Sequence, residues 1–227
     1  MWFHRSQPRS YGRKPVRVQH LAAVVLVTMF CVAPPAAANE PVKIVALGDS
    51  LTAGLGLPVD AAFPARLAAA LKAKGIAATI SNAGVSGDTM SGGLARLDWS
   101  IPDGTQAVIL ELGANDALRG IDPVVTRTAL DGILNKLNDR HIPVLLAGMR
   151  APRNLGPDYA AAFDAIFPAL ASTHGVVFYP FFLEGVASDP KFNQDDGLHP
   201  NAAGVDVIVA RILPQVEELI ARARATR

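Results

Sequence analysis

The sequence predicts one three-layer α/β domain built on a five-stranded parallel sheet, and three observations predict it. From Val42 onward, short β-branched apolar runs alternate with longer Ala/Leu-rich runs of helical spacing, the pattern of a parallel sheet covered by helices. Most of the short runs are continuously apolar, as strands buried on both faces must be. No internal repeat, low-complexity tract or interdomain linker interrupts the alternation.

The first 38 residues stand apart from that pattern. Arg5, Arg9, Arg13, Lys14 and Arg17 precede the apolar run 21–33, and Ala36-Ala37-Ala38 supplies a small-residue cleavage site, the layout of a secretory signal peptide. The apolar run, about 13 residues long, falls short of the roughly 20 that span a bilayer, so an uncleaved anchor is the lesser reading. Phe30, before Cys31, is bulkier than a lipidation signal carries. The expectation is a signal peptide at 1–38 and a mature domain at 39–227, exported to the periplasm or secreted, monomeric, with no stable membrane span.

Removing the leader leaves 189 of the 227 residues, enough for one domain with a substantial core. The leader holds five basic and no acidic residues, so 21 Lys+Arg and 20 Asp+Glu become 16 and 20, a net charge of −4. That mildly acidic body argues against a nucleic-acid partner. Cys31 is the only cysteine and departs with the leader. Disulfides, thiolate nucleophiles and zinc–cysteine sites are thereby excluded from the mature domain.

Strands are expected in order at 43–47, 78–82, 107–112, 144–148 and 176–179, each a short apolar or β-branched run. Helical spacing marks 63–74, 123–140 and 159–174 between them, and 202–222 closes the chain. Ligands of an open parallel sheet bind outside the carboxyl ends of its strands. Ser50 follows the first strand, Gly87 the second and Asn115 the third, so the candidate chemistry collects at one edge.

Ser50 in Gly48-Asp49-Ser50-Leu51, with Asp196 and His199 in Asp195-Asp196-Gly197-Leu198-His199-Pro200, supplies the hydroxyl, carboxylate and imidazole of nucleophilic acyl transfer. The mature domain has three histidines. His141 and His174 each end a helical stretch just before a strand, on the opposite edge, where a histidine caps carbonyls or faces solvent. His199 is left as the base. Asp196, three residues earlier, can turn its carboxylate toward the imidazole; Asp195 is its rival and otherwise a surface loop acid.

Acyl transfer also needs donors aimed at the developing oxyanion. Three are available: the N–H of Ser50, the N–H of Gly87 in Ser86-Gly87-Asp88-Thr89, and the side-chain amide of Asn115 in Gly113-Ala114-Asn115-Asp116. Taken singly, Gly87 reads as a turn glycine and Asn115 as a turn cap. Their positions after consecutive strands bring them into the site.

These blocks, in this order, resemble the signature blocks of the SGNH (GDSL) hydrolases. The stretch 82–89 with Gly93-Leu94-Ala95-Arg96-Leu97 is most similar to the bacterial thioesterase I/lysophospholipase and arylesterase branch, and the likeness runs from about Val42 to beyond Leu213. The resemblance implies a flavodoxin-like α/β/α sandwich and hydrolysis of esters and thioesters without metal or organic cofactor. It also implies Ser50 as nucleophile, His199 as base, Asp196 as its partner, and Gly87 and Asn115 as oxyanion donors. Ala114 stands where that branch often has a second glycine.

Other chemistries lack their motifs. Thr52 occupies the last glycine position of a G-x-S-x-G elbow, and Gly54-Leu55-Gly56-Leu57-Pro58-Val59 begins like a dinucleotide fingerprint but fails at Val59. The substrate is expected to be a small-molecule or lipid ester. Segment 150–157 follows the fourth strand and should wall the acyl pocket, with Arg150 and Pro152 as substrate-binding candidates. Arg150 and Arg153 would suit a phosphate, although solvated loop arginines are the favoured reading. Two rival functions remain: a carbohydrate acetyl esterase, and a non-catalytic exported binding module.

Overall fold

The computed structural model describes residues 1–4, 6–7, 9, 12 and 40–226. The chain divides into two units, Met1–Ala36 and Ala37–Arg227, and the regular elements described all belong to the second. The apolar run 21–33 and the expected cleavage site Ala36-Ala37-Ala38 lie outside the described residues.

Five strands form one parallel sheet: β1 (Val42–Gly48), β2 (Ala78–Gly84), β3 (Ala107–Glu111), β4 (Val144–Ala147) and β5 (Val177–Tyr179). Their spatial order is β2-β1-β3-β4-β5, the flavodoxin-like order, with its switch point between β1 and β3. β3 and β4 are buried at every position, and β1 at every position except Lys43. β2 lies at the sheet edge and is exposed at alternate residues along its first half, which is why its sequence is the least apolar of the five.

The helices are α1 (Ser50–Ala53), α2 (Phe63–Ala73), α3 (Met90–Ala95), α4 (Leu97–Ser100), α5 (Ala114–Leu118), α6 (Pro123–Asp139), α7 (Pro157–Asp164), α8 (Ile166–His174) and α9 (Ala202–Ala225). α2 packs on α9, which runs beneath β1, β3, β4 and β5, while α3, α6 and α8 pack in series. These two groups form the outer layers. Phe63, Leu67 and Leu71 of α2 and Ile208, Ile212, Val216 and Leu219 of α9 are almost wholly buried, each set at helical spacing.

The helix expected over 159–174 is two helices, broken at Ala165. Pro168 explains the break: it has no N–H, and its ring would strike the carbonyl four residues back, at Asp164. Placed in the first turn of α8 it costs nothing, because that N–H has no partner within a helix anyway.

β1 ends in the residue that shapes the site. Gly48 pairs with Gly84 on one side and Glu111 on the other. A Cβ on Gly48 would overlap Thr52 Oγ1 and lie 2.6 Å from the Glu111 carbonyl oxygen. The chain passes directly from strand into α1 because no side chain stands there. Gly48→Ala is expected to destabilise the protein by about 1–3 kcal/mol, the usual cost of overpacking a site that cannot relax. A urea midpoint equal to that of the unsubstituted protein would show that the β1–α1 turn has slack.

Candidate active site

Asp49 and Ser50 open α1 at the carboxyl end of β1. The Asp49 side chain caps the helix, its Oδ1 accepting the Leu51 N–H at 3.0 Å. Ser50 is then the first helical residue, where its N–H has no carbonyl to bond within the helix. Its side chain is reached from the far end of the chain: Ser50 Oγ and His199 Nε2 are 2.9 Å apart. His199 Nδ1 in turn lies 2.6 Å from Asp196 Oδ2.

The tautomer follows from these contacts. An ionised carboxylate only accepts, so Nδ1 carries the proton and Nε2 accepts the Ser50 hydroxyl. Asp196 is held by its other oxygen, Oδ1, which accepts the N–H groups of Leu198 at 2.9 Å and His199 at 3.0 Å. The His199 backbone bond, then its side-chain bond, then the Leu198 bond hold the Asp196 carboxyl down at about 2. Asp195 is exposed, and the imidazole pairs with Asp196 instead.

Gly87 lies beyond β2 with φ of 82°, a left-handed conformation that favours glycine. Its carbonyl accepts from Arg119 Nη2 at 2.7 Å. Asn115, in the first turn of α5, donates from Nδ2 to Asp49 Oδ2 at 3.1 Å. With Asp49 ionised and therefore accepting, this bond fixes the amide with its nitrogen toward Asp49 and leaves that nitrogen a second hydrogen. Asp116 ties the surrounding loops together: Oδ2 accepts the Met90 N–H at 2.9 Å and Oδ1 accepts from Thr126 Oγ1 at 3.0 Å.

Two acids are buried beneath Ser50, and no motif in the sequence marks them as buried. Asp49 is inaccessible to solvent, and burial pushes its carboxyl up to about 6 against the Leu51 and Asn115 bonds that favour its charge. Glu111 is also fully buried, its Oε2 accepting from Thr52 Oγ1 at 2.7 Å. Burial first, and the neighbouring Asp49 charge second, push Glu111 well above the ordinary carboxylate range. The visible signal was a single acid inside the otherwise apolar strand 107–112.

Ser50 and His199 face a cleft of about 630 Å³ whose walls include Leu118, Met149, Phe181, Leu183 and Leu198. Arg150 and Pro152 line it as expected, together with Ala151 and Arg153. The two arginines have partners. Arg150 lies over the Phe181 ring at 4.8 Å, with Nη1 3.8 Å from Glu184. Arg153 Nη2 is 3.0 Å from Asp164 Oδ2. His174 pairs with Asp131 at 2.7 Å and His141 is exposed, both at the amino-terminal edge of the sheet and away from this cleft.

A three-layer fold with a serine, an imidazole and a carboxylate joined in series at the switch-point edge defines the class: a hydrolase of carboxylic esters. The chain belongs to the GDSL-like lipase/acylhydrolase family, whose model matches residues 46–207. It is 41% identical over 179 residues to an arylesterase of Vibrio mimicus, covering 77% of this chain and 87% of that one. It is 39% identical over 175 residues to thioesterase 1/protease 1/lysophospholipase L1 of Escherichia coli (strain K12), covering 77% and 83%. Among solved structures it is similar to the SGNH-hydrolase family esterase AlinE4, with 47% identity, a TM-score of 0.67, and coverage of 79% of this chain and 96% of that one.

Proposed function

We propose that Ser50 is the nucleophile, His199 the general base and Asp196 its orienting partner, in a hydrolase of aryl and acyl esters and of acyl thioesters. The observation that carries this reading is the 2.9 Å contact between Ser50 Oγ and His199 Nε2. His199 takes the Ser50 proton as the oxygen attacks the substrate carbonyl. The oxyanion forms against the N–H of Ser50, the N–H of Gly87 and the free hydrogen of the Asn115 amide. Collapse expels the alcohol or thiol, protonated by His199, and leaves an acyl-enzyme. Water, deprotonated by His199, then releases the acid.

The cleft supports an apolar acyl or aryl group, since Leu118, Met149, Phe181, Leu183 and Leu198 line it. Arg150 and Arg153 already have acidic partners in Glu184 and Asp164, which favours a neutral ester over a phosphorylated one. Among the described residues no helix is long and apolar enough to cross a membrane. The leader-like residues 1–38 support export, and for an exported enzyme a lipid-derived or xenobiotic ester is the fitting substrate.

The test is hydrolysis of p-nitrophenyl esters from acetyl to palmitoyl by the purified protein. A peak at medium chains is the expected result. A peak at acetyl, with acetylated sugars preferred over medium-chain esters, would favour carbohydrate deacetylation instead, and no turnover at any length would favour a binding module. On the best ester, Asn115→Ala is expected to lower kcat by about 10²–10³-fold, the usual loss of one oxyanion donor, with KM nearly unchanged. A kcat within threefold of the unsubstituted enzyme would remove Asn115 from the oxyanion site.

A further inference from the structure

Arg96 is 7% exposed and its guanidinium makes four hydrogen bonds, three of them to groups on the strands and loop that lead into the site. Nη2 donates to the Gly48 carbonyl at 2.9 Å, at the end of β1 and two residues before Ser50. Nη1 donates to the Ala83 carbonyl at 2.9 Å, near the end of β2, and to Ser100 Oγ at 3.0 Å. Nε donates to Asp88 Oδ2 at 2.7 Å, one residue beyond Gly87. Asp88 is fixed from its other side, Oδ1 accepting the Thr89 N–H at 3.1 Å. One planar cation thus joins the strand that carries the nucleophile to the loop that carries the Gly87 N–H.

The energetics argue against a purely stabilising role. Arg96 and Asp88 form the only ion pair among the described residues whose two side chains are both nearly buried, at 8% and 12% exposure. A buried ion pair gives back in attraction little more than its desolvation costs, and apolar replacements of similar size are often as stable. What apolar side chains cannot do is hold two carbonyls and a carboxylate at fixed angles around one plane. The two elements so joined are the ones whose separation sets the distance from the Ser50 oxygen to an oxyanion donor.

We infer that Arg96 is a positioning residue for the hydrolytic reaction, holding the Gly87 N–H in register with Ser50 through the Gly48 carbonyl and Asp88. The inference rests on the proposed roles of Ser50 and Gly87. Through such a residue, a donor displaced by about 1 Å weakens the transition state more than the bound substrate, and displacement on that scale costs on the order of 10²-fold in rate. Arg119, which holds the Gly87 carbonyl from the exposed side, fixes only the loop and has no bond to β1.

The test uses Arg96→Lys, which keeps the charge but cannot reach all four acceptors, and Asp88→Asn, which keeps the shape and loses the charge. Active sites are first counted by stoichiometric reaction with a phosphonate ester, so that misfolded protein does not enter the rates. Per titrated site, each variant is expected to lower kcat at least tenfold with KM within about threefold, since transition-state contacts alone are lost. The Ki of a trifluoromethyl ketone, which adds to the serine as a tetrahedral oxyanion, should rise by the same factor. The double variant should be little worse than either single one, because both act through the same contact. Kcat per titrated site equal to that of the unsubstituted enzyme in both variants, with only the melting temperature lowered, would overturn the inference and leave a structural arginine. If Ser50→Ala itself retained full activity, the underlying triad would have failed instead, and the two failures are thus distinguishable.

Discussion

Ser50→Ala is expected to lower kcat on the best p-nitrophenyl ester by about 10⁴-fold or more, because a nucleophile, its base and the orienting acid act as a unit and losing the nucleophile costs nearly as much as losing all three. The argument is geometric. Removing Oγ leaves His199 Nε2 with no proton to take, while the donors at Gly87 and Asn115 remain able to bind the carbonyl. KM should therefore change far less than kcat, and the residual rate should reflect water reaching a carbonyl that is still polarised. Ser50 is 8% exposed and borders the cleft, so the substitution makes no void that would unfold the protein. Retention of more than about a tenth of the kcat would require another nucleophile, and the assignment of Ser50 would fall.

What could be seen in the sequence was whatever depended on periodicity or on a short local pattern. The five strands lie within two residues of their expected bounds, and β3 and β4 are buried on both faces as their uniform apolarity implied. Ser50, Gly87 and Asn115 stand at the strand ends where the order of the elements put them. The short helices α1, α3, α4 and α5 leave no periodic signal in the sequence, because four to six residues cannot display a 3.6-residue period, and α3 contains two glycines. The break before Pro168 was lost because the apolar spacing runs on across it. Arg96 sat in plain view in the block 93–97, but its meaning depends on four acceptors between 4 and 48 residues away in sequence, and no local pattern carries that information. The same holds for Asp49, whose two bonds to Leu51 and Asn115 tie the serine helix to the third of the proposed oxyanion donors.

Asp196→Asn is expected to lower kcat by about 10³–10⁴-fold, with Asp195→Asn within twofold of the unsubstituted enzyme. In the protein, Asp196 Oδ1 accepts two backbone N–H groups and Oδ2 faces His199 Nδ1. An asparagine must keep its single oxygen toward the two N–H donors, which turns its NH₂ group toward Nδ1. Nδ1 then has to accept, the ring proton moves to Nε2, and the imidazole can no longer take a proton from Ser50. The substitution therefore imposes the wrong tautomer while hardly changing shape. The effect of pH on the same residue has a definite sign. Its folded-state value of about 2 lies below the ordinary 3.8, so it adds stability above about pH 4 and that contribution is lost as the pH falls toward 2. The contribution is small, since the side chain is 45% exposed and water screens it. Any loss of activity between pH 7 and 5 must then arise elsewhere in the site, because Asp196 keeps its charge throughout that range. A pH–rate profile of the unsubstituted enzyme in which Asp196→Asn removes an acid limb near pH 4 to 5, with kcat on the plateau intact, would contradict both the tautomer argument and the depressed acidity.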